Sequence, residues 1–598
     1  MKNSIKIAIG VALFFVVVWA CSPKSGGTMA QSQLPPNVLA SCTVSQDTFN
    51  HWFGNDTATN GGFVKPANSV TFQHQNNCQF YQWSEQMFLW LTSPSKDKSS
   101  TVLEGPLFYN VSPDSANQRT LTAHTSGPMR MFSHIQQEGP NRLPVVFSKD
   151  GRMLEVEEAK PVSKTPSLNA MAMVNTAAGG PVAVANVKLD AKGTAVFLDA
   201  RGNQILHPKA NIHHTFNKKN IVERFVVGKQ SVFLDADGNQ VQTEAGQATG
   251  DVFMAKNGGL VYYLSLVNDV YAWFLTGANN KALTANEFPT TAGARDSICA
   301  YARKNGVKML PDSNALAMEI KTSWVEASKL KDPENYVTVM ATIPTYDTTN
   351  AAEWVPKKDT VVKMAMMGMH IVGSVAGHPE MIWATFEHQD ITPNATYTYV
   401  DVNNKVDTVK QDAGSDWIFS SNAADPNPNI AHMINRDSIT FASFGDTIKP
   451  TVNHKISPSN TLMIFPWGSA MGSPTNAEDK SSAASNSEII SINNVIRGFL
   501  VGNDVRKNYL LIGATWTSGG VAPSGVSYGY KGDTTAGVSI GTSVLANSTM
   551  ETYIQRDSTS CLYCHSGGGL TPSDLSHIFA DLQSLPTDTA SANKKKKK

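Results

Sequence analysis

The chain has 598 residues, of which 16% are charged and 41% hydrophobic, and its 49 basic residues balance 49 acidic ones. The charged share lies well below the roughly 25% of average soluble chains, while Gly, Ser, Thr and Asn are abundant, a texture common in β-rich exported proteins. The charge balance hides an asymmetry, because seven of the 49 basic residues are Lys2, Lys6 and the lysine run at 594–598, leaving 42 against 49 acids in the body; no basic stretch interleaved with aromatics supports a nucleic-acid role.

The chain opens MKNSIKIAIGVALFFVVVWAC, with two lysines ahead of the apolar run 7–19. That run is too short to span a bilayer at about 1.5 Å per residue and fits a secretory signal. Val18-Trp19-Ala20-Cys21 resembles a bacterial lipobox, although Trp19 is bulkier than the pattern usually holds. It predicts cleavage after residue 20, a lipid on Cys21, and a Ser- and Gly-rich tether from Ser22. The expected location is the periplasmic or cell-surface side of a membrane, held by the N-terminal lipid.

"NNCQFYQWSEQMFLWLTSP" carries Phe80, Trp83, Met87, Trp90 and Leu91 at helical spacing before Pro94, which predicts an amphipathic helix beginning near Asn77. Residues 145–250 read as hairpins. "VFLDARGNQI" at 196–205 returns as "VFLDADGNQV" at 232–241, with a looser copy at 145–154, each built on a tight Asp turn. Asp235-Ala-Asp237 is not a calcium loop, because its glycine comes fourth instead of sixth and no Glu closes it at the twelfth position. "GLVYYLSLVNDVYAWF" and residues 291–306 are expected to be helices, the second ended by Asn305-Gly306. Beyond residue 311 strands dominate. Leu316, Met318, Ile320 and Trp324 fall on one face of an alternating segment, and 336–343 alternates likewise. "TVVKMAMMGMHIVGSVAGHPEMIWATFEH" reads as two buried strands around a turn, holding His370, His378 and His388 together with five methionines. This stretch is expected to be core, with a distal-ligand, copper or substrate role as its sharper alternative.

The strongest chemical signal is Cys561-Leu562-Tyr563-Cys564-His565. Two thiols two residues apart can each add to a haem vinyl group, and the following His lies beneath the iron as its proximal ligand. Zinc would need two further ligands, and no second Cys pair or spaced His pair accompanies the motif. A thioredoxin-type site would need a βαβ setting, which this Ser- and Gly-rich stretch lacks. Only 33 residues follow His565, too few to enclose a haem, so the cofactor must lean on the preceding body. Around the motif, Ser548-Thr549-Met550-Glu551 predicts a short helix from Thr549, and Thr571-Pro572-Ser573-Asp574 one reaching to about 584, with Leu575, Ile578, Phe579 and Leu582 as its apolar stripe. His577 falls off that stripe and is expected to face solvent. The distal ligand is left open between His577, Met550, a residue of the His370/His378/His388 region, or none. Of the other cysteines, Cys42 and Cys78 could pair and leave Cys299 over, but either could instead bond Cys299.

Three stretches, "NNCQFYQWSEQMFLWLTSP", "GHPEMIWATFEH" and "ANSTMETYIQRDSTSCLYCH", together resemble a group of large bacterial single-haem lipoproteins of the cytochrome c family with a C-terminal CxxCH. The resemblance implies haem c, bound at Cys561 and Cys564 with His565 on the iron, and a redox role without a defined substrate. The expected fold is α+β and predominantly β, with hairpins, antiparallel sheets and several packed helices. The expected divisions are a signal at 1–20, a tether at 21–41, an α+β region at 42–310, a β-rich domain at 311–545, and a haem-attachment segment with a basic tail at 546–598. The leading expectation is an exported c-type cytochrome in electron transfer with an unidentified redox partner. Its rivals are a haem-dependent peroxidase or oxygenase using the large body as substrate pocket, and a non-haem binding or scaffold lipoprotein.

Overall fold

A computed structural model describes residues 34–587 apart from 97–99, 113–117, 125–126, 134–140, 142, 144, 149–152, 160–171, 177–179, 191–193, 215–217, 228–229, 242–250, 415, 426–427, 431, 436–446, 451–453, 469–479, 525–534, 543, 553–554, 556–560 and 567–568. The signal, Cys21, most of the tether, the lysine tail and the turn of the loose third hairpin copy lie outside the described residues. No helix among the described residues is long and apolar enough to cross a membrane.

The fold is α+β and mostly β, organised on one ten-stranded sheet. Its strands are β1 (Phe108–Val111), β2 (Leu121–Ala123), β3 (Met129–Arg130), β4 (Val261–Asn268), β5 (Met318–Glu326), β6 (Thr338–Asp347), β7 (Val355–Val375), β8 (His378–His388), β9 (Tyr509–Thr517) and β10 (Ser539–Gly541). The main path runs β2-β1-β4-β5-β7-β8-β9-β10, and β6 joins the first half of β7 to β3. Every pairing is antiparallel except β6 with β3. β4 pairs with β5, so residue 310 falls between two neighbouring strands of one sheet. A smaller five-stranded sheet between residues 145 and 241 has its own apolar core around Phe197, Ile221, Phe225 and Leu234. In the two clear hairpin repeats, one in this sheet and one beside it at a separate two-stranded ribbon, Asp235 and Asp199 each accept from the backbone amides two and four residues on, the local bonding that makes this a turn sequence.

One face of the main sheet is covered by α1 (Asn77–Leu91) and α2 (Lys480–Phe499). Asn76 and Gln79 form a reciprocal cap that starts α1, and Phe80, Trp83, Met87, Trp90 and Leu91 are all buried as the spacing predicts. Phe80 stacks on Trp516 at 3.7 Å and Phe88 on Phe386 at 4.3 Å, which locks the helix to β8 and β9. Cys42 and Cys78 form a disulfide that ties the N-terminal segment to the first turn of α1, while Cys299 sits half-buried outside any disulfide. Met364, Met366 and Met369 are packed on this same face, so the methionine concentration of β7 is largely core.

The stretch expected as one helix at "GLVYYLSLVNDVYAWF" is half strand. Val261–Asn268 forms β4, and only from Asp269 does the chain turn helical, as α3 (Asp269–Asn279). The strand occupies a place in the sheet where both faces are covered, so its apolar run has no alternation to betray it. Asn268 closes the strand and caps the helix, accepting from the Tyr271 amide at 3.0 Å. The next helix, α4 (Ala292–Lys304), lies where expected and is capped by Thr291.

Within α1, Glu85 is buried with no charged partner, and burial alone pushes its carboxyl up to about 8. A folded-state pKa above the unfolded value means that the native state holds its proton longer, so stability falls as pH rises from about 4.5 towards 8. Glu85→Gln should therefore leave the unfolding midpoint little changed at pH 5 and raise stability by roughly 2–4 kcal/mol at pH 9. Denaturant unfolding at the two pH values checks this, and equal effects at both would contradict it.

Candidate functional site

The second face of the main sheet carries a polar band across its centre. Lys321 on β5 lies beside His370 on β7, which lies beside Thr385 on β8. The neighbouring rows add Ser323, Gly368 and Glu387 on one side and Glu319, Val372 and Trp383 on the other. Such groups can be buried only if each finds a partner, and the C-terminal segment supplies them. Asn547 Nδ2 donates to Thr385 Oγ1 at 2.9 Å and to the Phe386 carbonyl at 3.2 Å. Gly368 makes the approach possible, since a Cβ there would come within 2.6 Å of the Asn547 amide nitrogen. Glu387 accepts from the Ser548 amide at 2.6 Å and from its hydroxyl at 2.7 Å, and Ser323 shares a 2.7 Å bond with Thr549. His370 meets both oxygens of Glu551 at 2.9 and 3.0 Å.

Burial pushes the Glu387 carboxyl up to about 7. Burial also pushes Glu551 upward, but the charge and hydrogen bond of His370, helped by Lys321 and the Asn547 amide, outweigh it and hold that carboxyl below its ordinary value. Over the described residues 547–552, the expected helix from Thr549 is a turn. Asn547, not Ser548, caps it, accepting from the Thr549 amide at 3.0 Å while Glu551 accepts from the Asn547 amide at 2.9 Å. These bonds direct the side chains into the sheet.

The motif follows on the same face. A single helical turn, α5 (Cys561–Cys564), is packed beside β9, with Leu562 buried and Cys561 half-buried where two apolar clusters meet. The side chains of Tyr563 and Cys564 lie outside the described residues. His565 continues the turn, its amide donating to the Cys561 carbonyl at 2.9 Å. Its Nδ1 lies 2.8 Å from the Leu575 carbonyl, and because a carbonyl only accepts, Nδ1 carries the proton and Nε2 keeps its lone pair. The ring packs 4.2 Å from Trp383 and stacks on His577 at 4.0 Å with 15° between planes. Burial, then the charge of His577, pushes the His565 imidazole well below its ordinary value and keeps it neutral.

His577 thus departs from its expected solvent exposure. The expected helix ends after one turn, as α6 (Pro572–Leu575), and the chain bends at Ser576 so that the apolar stripe turns inward and His577 is half-buried against His565. Ser576 drives that bend, bonding Glu319 Oε2 at 2.7 Å and the Tyr271 hydroxyl at 2.9 Å. Leu575, Ile578, Phe579 and Leu582 are buried against α3 and α4, as their pattern predicts, without a continuous helix.

The other distal candidates separate. His370 lies close enough for its charge to lower His565 further, yet it is engaged by Glu551. Met550 is buried in a different cluster with Phe253 and Tyr263. His388 is on the helix-covered face, stacked on Tyr336 at 3.9 Å, and His378 packs against Phe80 beside the turn into β8. The motif reading alone did not reach Trp383, Glu319, Lys321, Glu387, Asn547 or Ser576. A usable signal was the period-two placement of Glu319 with Lys321, and of Thr385 with Glu387, inside strands otherwise apolar.

Among the described residues, no group of three or more His, Cys, Asp or Glu side chains is arranged to hold a metal ion. A haem brings four nitrogens of its own, so one neutral imidazole held by a backbone carbonyl is the donor it requires, and His565 fits. Comparison of the chain with family models, with curated proteins and with solved structures finds no match in any of the three.

Asn547 is the residue most engaged in holding the C-terminal segment to the sheet. Asn547→Ala should cost about 1–3 kcal/mol by stranding polar groups at Thr385 and Thr549. It should also expose residues 546–587 to limited proteolysis while the remaining body resists; unchanged cleavage would show that the band is not what holds the segment.

Proposed function

We propose that the chain is an exported, lipid-anchored c-type cytochrome that holds one haem through thioethers at Cys561 and Cys564, with His565 as proximal ligand and electron transfer as its role. The observation that carries this reading is the His565 ring, neutral, half-buried and fixed by its Nδ1 bond to Leu575 so that Nε2 is the free donor. The haem, when bound, supplies a one-electron iron couple. The chain's own part is to hold the His565 tautomer, to wall the site with Trp383 and the Leu575–Phe579 cluster, and to seat the segment on the sheet through Ser576 and Asn547. Export and lipidation at Cys21 rest on the sequence of residues 1–21, and the haem motif agrees with them because haem c is attached outside the cytoplasm.

Electron transfer is favoured over a peroxidase or oxygenase role by His577. A second imidazole, His577, is stacked on the proposed proximal ring at 4.0 Å, so it would be at hand as a further iron ligand when haem is bound. An iron so ligated would be closed to peroxide and oxygen. The likeness to single-haem cytochrome c family lipoproteins belongs with this proposal and supplies no substrate.

The test is the full chain produced with haem-maturation machinery. Expected are a mass increase of one haem that survives denaturation, a pyridine haemochrome spectrum of a two-thioether haem, and loss of both in the Cys561→Ala/Cys564→Ala variant. A colourless protein of polypeptide mass would end the proposal. With haem in place, a low-spin iron inert to peroxide that becomes high-spin in His577→Ala supports electron transfer, whereas a high-spin, peroxide-reactive wild type transfers the reading to catalysis.

A further inference from the structure

Away from the haem motif, the turn between β7 and β8 builds a second arrangement of histidines. His378 is 5% exposed and sits 2.7 Å, through Nδ1, from Oε1 of Glu380, which is fully buried. Glu380 Oε1 also accepts from the Thr517 amide at 3.1 Å, while its Oε2 meets no hydrogen-bond partner. A carboxylate only accepts, so Nδ1 of His378 carries a hydrogen, and in the neutral ring Nε2 presents its lone pair outward. It points at His74 Nδ1, 3.4 Å away, on an exposed residue that arrives from the segment before α1. The rings stand nearly perpendicular, at 88°, with Phe80 edge-on against His378.

Two features make this an assembled site. The β7–β8 ladder is irregular here, with Val375 opposite His378 but Gly373 opposite Ile382, so three residues of β8 face one of β7. Met381 takes φ +69° within that bulge, and the bulge buries the Glu380 carboxylate. Gly377, at φ +78°, leaves the space that His74 uses, since a Cβ there would stand 3.2 Å from the His74 ring.

We propose that His74 and His378 form a two-imidazole site for a divalent late first-row cation, Zn2+ or Cu2+, with Glu380 as the carboxylate that orients His378. The two nitrogens meet as a long hydrogen bond in the ion-free protein, and their separation also suits a shared ion. At 3.4 Å it exceeds the 2.7–3.2 Å usual for a nitrogen donor. Two nitrogens each about 2.0–2.1 Å from a tetrahedral ion stand about 3.3–3.4 Å apart, which is the spacing found. Glu380, through Nδ1 of His378, has the place of the carboxylate that backs a ligating histidine and raises its basicity. A cation on the far side of the ring also offsets the charge of a carboxylate left with one unpartnered oxygen. Solvent completes the coordination, giving an exchangeable site in which Cu2+ binds more tightly than Zn2+.

The test uses the full chain stripped with a chelator, titrated with Zn2+ by calorimetry and with Cu2+ by electron paramagnetic resonance. One equivalent should bind, with nitrogen couplings from two imidazoles, and this component should disappear in His74→Ala, a variant at an exposed position that leaves the fold intact. Glu380→Gln should weaken binding about 10–100-fold while keeping both ligands. Because this site shares no residue with the haem motif, the Cys561→Ala/Cys564→Ala variant should bind the cation as wild type does. Equal titrations for wild type and His74→Ala would overturn the proposal, and an unchanged affinity in Glu380→Gln would remove the carboxylate from it.

Discussion

The constraint on which the rest of the molecule depends is that its ten-stranded sheet is covered on both faces. β7 illustrates the demand: from Met364 onward almost every residue is buried, whichever side it faces. One face meets it by apolar packing beneath two helices, where large rings such as Trp516, Phe386 and Tyr509 stack against α1. The other face is apolar at its ends and polar in the middle. Once covered, that middle strip needs polar groups that match it one for one, because each donor or acceptor buried without a partner costs on the order of 1–3 kcal/mol. The cover is the last part of the chain, and its residues Asn547, Ser548, Thr549, Glu551 and Ser576 are spent on that matching.

The same logic fixes where the Cys-x-x-Cys-His motif ends up. Its four-residue turn has no means of holding a position alone, since nucleating one turn of helix is unfavourable. It is held by what flanks it: the Asn547 turn before, and after it the Leu575–Leu582 stripe driven into the cluster of α3 and α4. His565 is thereby set against Trp383, whose strand is itself pinned through β9 to the helix-covered face. A buried ion pair completes the clamp from the opposite side. Arg506 meets both oxygens of Asp504 at 2.8 and 2.5 Å and donates to the Gly62 and Leu89 carbonyls, joining the approach to β9 to the end of α1. Satisfied so fully, the pair contributes chiefly by holding one geometry.

Local signals in the sequence suffice where the chain bonds to itself. The capping box at Asn76 and Gln79, the Asp turns at Asp199 and Asp235, and the Thr291 cap each use partners within four residues, so their chemistry is visible in a short window. They do not suffice where the deciding partner is remote. β4 looked helical because burial on both faces erases the period-two pattern, and what makes it a strand is β5, more than fifty residues on. His577 looked exposed because a continued helix would turn it outward; the bend that brings it in is made by Glu319, at a separation of 257 residues from Ser576. The Cys561, Cys564 and His565 spacing is visible in the sequence itself, whereas Trp383 and the polar band cannot be found without the sheet register.

Delivery of the motif by the final segment also orders the proposed chemistry. Thioether formation needs open thiols, yet Cys561 in the docked segment is half-buried at the junction of two clusters. Docking and attachment therefore compete for the same side chain, and the attachment that can proceed is the one that occurs while residues 546–587 are still off the sheet. The sheet itself gains by the delay only if its polar strip tolerates water in the interim, which groups such as Lys321, His370 and Glu387 do at little cost, since exposed they are hydrated. An apolar strip in their place would draw the segment down at once by hydrophobic collapse. The polar band thus serves both states: hydrated before docking, and satisfied by Asn547, Ser548 and Glu551 after it.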